Sequence, residues 1–495
     1  MHTSFTRKLV RGAAARMTRA AAVAAITFAG AVACARGTAA PPAPAPPRTA
    51  TALADDPLLD TLELRTFQFF WQRSDPRTGL TPDRWPTKSF SSIAAVGFAL
   101  TAYPIGAERG YVSRDSAAAR TLTTLRWFWL APQGPDSANV AGHRGFFYHF
   151  LDMERGRRFK DVELSSIDTA LLLAGVLFSQ QYFDRPTATE AAIRATADSL
   201  YRRVDWRWFQ QSPPTISMGW TPKDGMSTWG YKGYNEAMLL YVLALGSPTH
   251  PVDSTAWGAY TSTYTWATYY GQPHVNFAPL FGHHYSHVWI DFRGIQDAYM
   301  RERGIDYFEN SRRATLAQRG YASANPQRWA AYSDSVWGLS ASDGPSDTTL
   351  AVPAAGGARR QFYTYAARGA AATEVRDDGT LAPTASAGSI PFAPEAVVPA
   401  LRTMRRLYGD ALFGEYGFRD AFNPSFTDAG AVRMGRVVPG LGWFDDDYLG
   451  IDQGPILAMV ENYRTGLVWR HMRNSPYIRR GLERAGFTGG WLTQP

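Results

Sequence analysis

Apolar residues recur at three- and four-residue spacing through much of the chain, the period of an amphipathic helix. This pattern predicts helices over 56–74, 89–106, 115–130, 165–183, 188–204, 235–246, 261–271, 305–324, 393–409 and 453–473. Several open on Asp or Ser, whose short side chains accept hydrogen bonds from the free amides of a first turn, and stop at Gly or Pro. Strand-like alternation is scarce outside roughly 340–392, where GARRQFYTYAA and DDGTLAPTASAGSIPF predict short strands and loops. The expected class is all-α. Helices in this number, joined by long loops rich in Gly, Trp and His, predict stacked helical hairpins. A ring of six hairpins, an (α/α)6 barrel with a few short strands, fits the length. A helical solenoid has the same periodicity, although no fixed-period repeat is found.

The first residues follow another pattern. Arg7, Lys8, Arg11, Arg16 and Arg19 precede the apolar run AAAVAAITFAGAVA and then Cys34, with no acidic residue among them. Residues 1–34 therefore read as an export signal, with an apolar run too short for a comfortable membrane span. The only cysteine sits after Ala31-Val32-Ala33, where a lipoprotein signal places the residue that receives the lipid. Lipidation at Cys34 would tether the chain to a membrane and make it a periplasmic or outer-membrane lipoprotein. The alternative is a soluble exported protein cut nearby. Residues 35–54 are rich in Pro and Ala and read as an extended linker, leaving 55–495 as the folded domain. With no second cysteine, no internal disulfide or thiolate metal site is expected.

Composition changes the picture in two ways. The 51 basic and 43 acidic residues give a formal charge of +8, but five of the basic residues belong to the signal. The small excess left over is not clustered, and no nucleic-acid partner is expected. Aromatics make up 14% of the chain, and many lie in loop-like stretches beside polar groups: Trp220, Trp229, Tyr231, Tyr234, Tyr285, Trp289, Trp443 and Tyr448. Sugar rings have apolar faces and hydroxyl edges, so flat rings flanked by carboxylates, amides and Arg predict a saccharide cleft. The same rings would also fill a large core. A monomer without cofactor is expected. No Gly-x-Ser-x-Gly elbow, P-loop or dinucleotide fingerprint is found in a strand–helix context.

The segment GYNEAMLLYVLALGSPTHP (233–251) resembles the glycoamylase-like domain family, which includes bacterial endo-β-1,2-glucanases of glycoside hydrolase family 144. Six further stretches resemble the same family in order along the chain: FFWQRSDPRTGLTPDR (69–84), ELSSIDTALLLAG (163–175), HHYSHVWIDFRGIQDAYM (283–300), DYFENSRRATLAQR (306–319), PFAPE (391–395) and DYLGIDQGPILAMVENYR (447–464). The resemblance implies an (α/α)6 barrel, chemistry without a metal, and inverting hydrolysis of β-1,2-glucan.

Glycoside hydrolysis generally needs two carboxyls, one protonated to serve the leaving oxygen and one to activate water or attack the sugar. Glu236 is the first candidate for the acid. It opens an apolar helix, Asn235 or Tyr234 is placed to hydrogen-bond it, and the family's Asn-Glu-Ala segment puts the proposed acid there. A first-turn Glu that favours the helix N-terminus is the competing reading. Asp452 is the candidate base, since Gly450 and Gly454 would allow close approach of a ligand to the backbone. It competes with a simple N-cap role, and with Asp445, Asp446 and Asp447 for the assignment. Glu163 and Asp168, at the start of a helix, join Trp220, Tyr231, Tyr234, Asn235, Trp289, Asp291, Arg293 and Trp443 as binding candidates. His283 and His284, with His287 nearby, lack the HExxH arrangement of a zinc hydrolase and are read as sugar-binding or packing residues, so no metal is expected. A non-catalytic glycan-binding lipoprotein would share most of these features. A polysaccharide lyase on the same barrel would want an Arg cluster that is not evident.

Overall fold

A computed structural model describes residues 53–493, within a unit spanning Ala50–Pro495. The signal, Cys34 and nearly all of the linker lie outside the described residues. Among those residues no helix is long and apolar enough to cross a membrane.

Thirteen of the fifteen α-helices among the described residues carry the architecture: α1 Pro57–Arg73, α2 Ile93–Glu108, α3 Arg114–Leu130, α4 Ser166–Tyr182, α5 Ala188–Arg202, α6 Met238–Gly246, α7 Tyr285–Trp289, α8 Tyr307–Ala324, α9 Pro383–Ala387, α10 Pro394–Leu412, α11 Gly450–Arg464, α12 Leu467–Met472 and α13 Pro476–Arg484. Their ends follow the local chemistry. Asp56 caps α1 by accepting from the Leu58 amide, with Pro57 in the first turn. Ser165, Thr187 and Asp306 cap α4, α5 and α8 in the same way, each accepting from the amide three residues on. Most predicted helices are present. The 453–473 segment divides at Gly466, which takes φ 69°, a left-handed conformation that ends one helix and lets the next begin.

Two expectations fail. Residues 261–271 hold a strand, Trp266–Tyr269, paired antiparallel with Gln272–Val275. Their β-branched and aromatic residues suit a pleated hairpin, and this outweighs the apolar spacing. Conversely, PTASA within the stretch read as strands and loops is the short helix α9, with all of its residues buried. Strands are otherwise short and paired in twos and threes, the longest being the Thr348–Val352/Ala358–Phe362 hairpin.

Helices buried on all sides alternate with half-buried ones along most of the chain. In α6, α7 and α9 every residue is buried, and α2, α4 and α11 are buried over most of their length. By contrast α3, α5, α8, α10 and α13 bury one stripe at helical spacing. The inner helices pack at backbone distance: a Cβ on Gly175 would lie 2.1 Å from the Gly97 carbonyl oxygen, so α2 and α4 meet where neither carries a side chain. α11 packs on α2 with Gly454 against the Phe98 ring and on α1, and α13 packs on α6.

Candidate active site

The first turns of the inner helices are linked to one another. The Leu239 amide of α6 donates to Ser286 Oγ of α7 at 3.0 Å, and that hydroxyl donates to the Glu236 carbonyl at 3.0 Å. Thr384 of α9 donates to the Asp452 carbonyl of α11 at 3.0 Å. Glu236 lies in the turn just before α6, Asp452 in the first turn of α11, and Asp168 in the first turn of α4. Tyr285, which opens α7, is buried and feels the charges of Asp452, Glu236 and Asp168 together. Carboxyls from three separate helix starts thus lie within electrostatic reach of one phenol.

Glu236 is partly open to solvent at the residue level, yet burial of its carboxyl pushes its pKa up to about 7. The Asp168 charge adds to this, while a hydrogen bond from its own backbone opposes it. The positive end of α6 would lower the pKa by a fraction of a unit to about one unit, so desolvation outweighs the dipole here. Neither expected neighbour holds the carboxyl. Asn235 caps the Ala237 amide, and the Tyr234 hydroxyl lies by Ser311 while its ring packs on His283.

Asp168 is clamped. Ser165 Oγ donates to its Oδ2 at 2.5 Å, and His149 Nε2 lies 3.4 Å from the same oxygen. His149 Nδ1 is 2.9 Å from Glu163, and its ring stacks on Phe150. Burial alone would depress the imidazole, but the Asp168 and Glu163 charges win and raise it to about 9. Burial would raise Glu163 in turn, and its bond to His149 instead holds it below the usual range. Tyr231 is buried beside Glu236, Asp168 and Glu163. Trp220, on the strand that pairs with Leu164, packs its ring at a tilt against Trp208 and His143, and Trp229 on the adjoining loop is 42% exposed.

Around Asp452 the chain gathers Asp83, Asp343, Asp420, Asp445 and Asp447, all buried, with the Arg84 guanidinium among them. Arg84 donates to Asp343 at 2.6 Å and lies 3.2 Å from Asp83 and 3.7 Å from Asp447. Oxygens of Asp343, Asp445 and Asp447 come within 4.8 Å of one another, and Arg84 supplies the cation beside two of them. Burial pushes Asp452 up to about 7 despite a hydrogen bond from Asp420, with Asp343 and Asp83 adding repulsion and Arg84 opposing it. Asp452 is not the cap of α11, whose N-cap residue is Leu449. Nor do its flanking glycines face a ligand: a Cβ on Gly450 would meet Ala95 at 2.6 Å, and one on Gly454 the Phe98 ring at 2.0 Å. Of the neighbouring acids, Asp446 is half-exposed and paired with Arg436, and Asp447 accepts from the Thr87 amide. Asp445 is buried and raised, first by desolvation and then by the surrounding carboxylates.

Other candidates are packed into the protein. His283, His284 and His287 bond the Phe277 carbonyl, Ser389 and Ser311, respectively. Burial holds all three well below the ordinary imidazole range, His284 and His287 at about 3. Trp289 is fully buried, donates to Thr101 and stacks on Phe98. Trp443, fully buried, donates to the Met434 carbonyl. Asp291 is paired with Arg293 and Arg473 beyond the C-terminal end of α7, away from the helix starts that carry Glu236 and Asp452. Sequence reasoning did not single out His149, Asp343, Asp420 or Arg84. Arg84 stood in a stretch already quoted, whereas Asp420 and Asp343 carry no local signature.

A family model described as "Putative glucoamylase" matches residues 228–476, a span that includes Glu236, Asp420 and Asp452. The chain is 28% identical over 467 residues to an exo β-1,2-glucooligosaccharide sophorohydrolase (non-reducing end) of Parabacteroides distasonis, covering 87% of this chain. It spans only 58% of that relative's length. A crystal structure of a protein of the same description as the family model, from Bacteroides uniformis ATCC 8492, superimposes with TM-score 0.74 at 31% identity, covering 89% of this chain and 99% of the other. The endo-β-1,2-glucanase of Chitinophaga pinensis, solved with sophorotriose and glucose, gives 0.73 at 27% identity, covering 89% and 99%.

Proposed function

Because the chain belongs to the glycoamylase-like family, we propose that it is a glycoside hydrolase that cuts β-linked glucan, β-1,2-glucan first, by an inverting acid/base mechanism. The observation that carries the reading is a pair of carboxyls, Glu236 and Asp452, at two inner-helix starts. Both are raised to about 7 by burial, and both lie within electrostatic reach of Tyr285. A group titrating near the working pH both holds and releases a proton readily, which suits acid and base alike. Protonated Glu236 would give its proton to the glycosidic oxygen as that bond breaks. Ionised Asp452 would take a proton from the water attacking the anomeric carbon from the opposite face, and configuration inverts. Tyr231, Trp220, Trp229 and Glu163 would bind sugar rings and hydroxyls. The β-1,2 linkage is argued from the named activities of the two glucan-cleaving relatives.

The alternation of buried and half-buried helices, with the candidate carboxyls at the starts of the buried ones, supports an (α/α)6 arrangement with the site at one end. Export and a lipid anchor at Cys34 complete the proposal, placing a monomeric hydrolase in the periplasm or on the outer membrane, working without a cofactor. Incubating the protein with linear β-1,2-glucan, against β-1,3-, β-1,4- and α-glucans, tests the activity. Short β-1,2-oligosaccharides are expected, their size distribution separating endo from exo action. A folded protein that binds glucan and releases no product from any of them overturns the reading in favour of a glycan-binding protein.

A further inference from the structure

His149 lies outside the acid–base pair yet ties together the starts of two inner helices. Its carbonyl accepts from the Ile93 amide at the start of α2 at 3.3 Å, and its amide donates at 2.9 Å to the carbonyl of Glu163, on the chain that enters α4. The next residue, Phe150, pairs with Ser92. The imidazole stacks on the Phe150 ring, with centroids 3.9 Å apart and 24° between planes, and Phe150 packs in turn on Phe90 at 4.1 Å. The fixed ring aims one nitrogen at each of two carboxylates: Nδ1 lies 2.9 Å from Glu163 Oε1, and Nε2 lies 3.4 Å from Asp168 Oδ2. A neutral imidazole has a single N–H and would turn a lone pair on one of the two; only the doubly protonated cation serves both. We propose that His149 is a positioning residue for the substrate: its imidazolium holds Glu163 and Asp168 in place as acceptors for the hydroxyl edge of a neutral sugar ring, and so sets affinity rather than the chemical step.

Side-chain exposure falls from 40% at Glu163 to 29% at His149 and 5% at Asp168, so the cluster opens to solvent on the Glu163 side. The contacts with His149 and Ser165 occupy Glu163 Oε1 and Asp168 Oδ2, and the second oxygen of each carboxylate has no side-chain partner among the described residues. Flat rings stand beside the pair. Leu164, next to Glu163, pairs with Trp220, and a Cβ on the neighbouring Gly219 would lie 2.8 Å from Glu163 Cγ. The exposed Trp229 is bonded to the same stretch, its carbonyl accepting from the Met218 amide at 2.9 Å. Two carboxylates against one imidazolium leave a net negative wall, which accepts from O–H donors and repels anions. No other group facing the cluster takes over as its cation. Asp83 is a third carboxylate, Tyr231 is a buried phenol held neutral, and Arg158, which faces Glu163, donates its Nε to the Val162 carbonyl at 2.7 Å. Its carboxylate partners keep the imidazole protonated up to about pH 9.

This role rests on the protein binding glucan, and the experiment separates the two. Glu236→Gln serves as the parent, since it stops turnover and removes the titration of Glu236. Its dissociation constant for a linear β-1,2-glucooligosaccharide is measured by calorimetry at pH 8 and pH 10, above the range in which Asp452 titrates, with circular dichroism confirming the fold at both. An imidazolium lost around pH 9 should weaken binding by about tenfold between the two. Adding His149→Gln should weaken binding by about tenfold at pH 8 and leave it flat to pH 10. With Glu236 restored, His149→Gln should raise KM by a similar factor and leave kcat within about threefold. A dissociation constant that stays flat in the parent overturns the proposal, and so does a His149→Gln value within twofold of the parent at pH 8. A merely structural His149 would give both of these results. If His149→Gln does not fold, the pH dependence of the parent decides. A folded parent that binds no β-1,2-glucooligosaccharide, with a wild type that cleaves none, overturns the glucan reading itself and the role of His149 with it.

Discussion

Replacing Glu236 by Gln should separate catalysis from stability in opposite directions. The carboxyl has a folded value of about 7 against a reference of 4.5, with burial the main cause. A carboxyl whose folded pKa is raised holds its proton longer in the folded than in the unfolded state, so stability falls as pH rises between the two values. Below about pH 4.5 both states are protonated and no penalty exists. Above about pH 7 both are ionised and the penalty is complete. A shift of about 2.5 units at ~1.36 kcal/mol per unit is roughly 3 kcal/mol, or about 2–3 kcal/mol once partial access to water is allowed for. Gln is nearly isosteric, keeps an acceptor for the backbone amide and carries no charge, so it removes the penalty. For a unit of this size, with unfolding entropy of about 2.1 cal/mol/K per residue, Glu236→Gln should unfold about 2–3 °C higher than the wild type at pH 8, with no difference at pH 4.5. The same variant should show no turnover of β-1,2-glucan while still binding it. Paired thermal scans at the two pH values, with a product assay on the same preparation, make the measurement. Equal midpoints at pH 8 would refute the argument that desolvation dominates at Glu236, and wild-type turnover would refute its role as the acid.

Three further outcomes follow from other parts of the site. Asp452→Asn should lose turnover by at least about 10³-fold while its circular dichroism is unchanged, read by reducing-sugar release. His149→Gln should destabilise the fold through loss of the charge between Glu163 and Asp168. That imidazole is raised to about 9 from 6.5, so its contribution is complete below about pH 6.5 and disappears as pH rises through about 9; denaturant midpoints of variant and wild type should differ most at pH 6 and converge by about pH 10. Gly454→Ala would place a methyl 2.0 Å from the Phe98 ring, and the cost of overpacking, about 1–3 kcal/mol, exceeds the helix-propensity gain of about 1 kcal/mol. Its denaturant midpoint should fall, and its kcat with it, since Asp452 lies two residues away.

Some of this molecule was legible locally. Asp56, Ser165 and Asp306 announced helix starts because capping needs only a short polar side chain and the next three amides, all within one turn of chain. The apolar runs of α2 and α4 are so continuous that burial on every side follows from composition, whereas α5 and α10 show one apolar stripe. Glu236 was singled out from its Asn-Glu-Ala segment and Asp452 from its flanking glycines, which pack against Ala95 and the Phe98 ring. Elements too short to display a period were not legible: α7 and α9 have five residues each, barely more than one turn, and α9 is a helix because buried neighbours surround it. The Thr- and Tyr-rich 261–271 segment carried two competing signals, and pairing with Gln272–Val275 decided between them.

Local sequence by itself determined where most helices begin, which faces they bury and which carboxyls stand at helix starts, because those properties depend on residues a few positions apart. Only the tertiary structure decided what these carboxyls are. Asp83, Asp343, Asp420 and Asp452 come together across hundreds of residues of chain, as do His149, Asp168 and Glu236 across a shorter span. Their proton affinities follow from burial and from one another's charge, and neither quantity exists until the chain has closed around them.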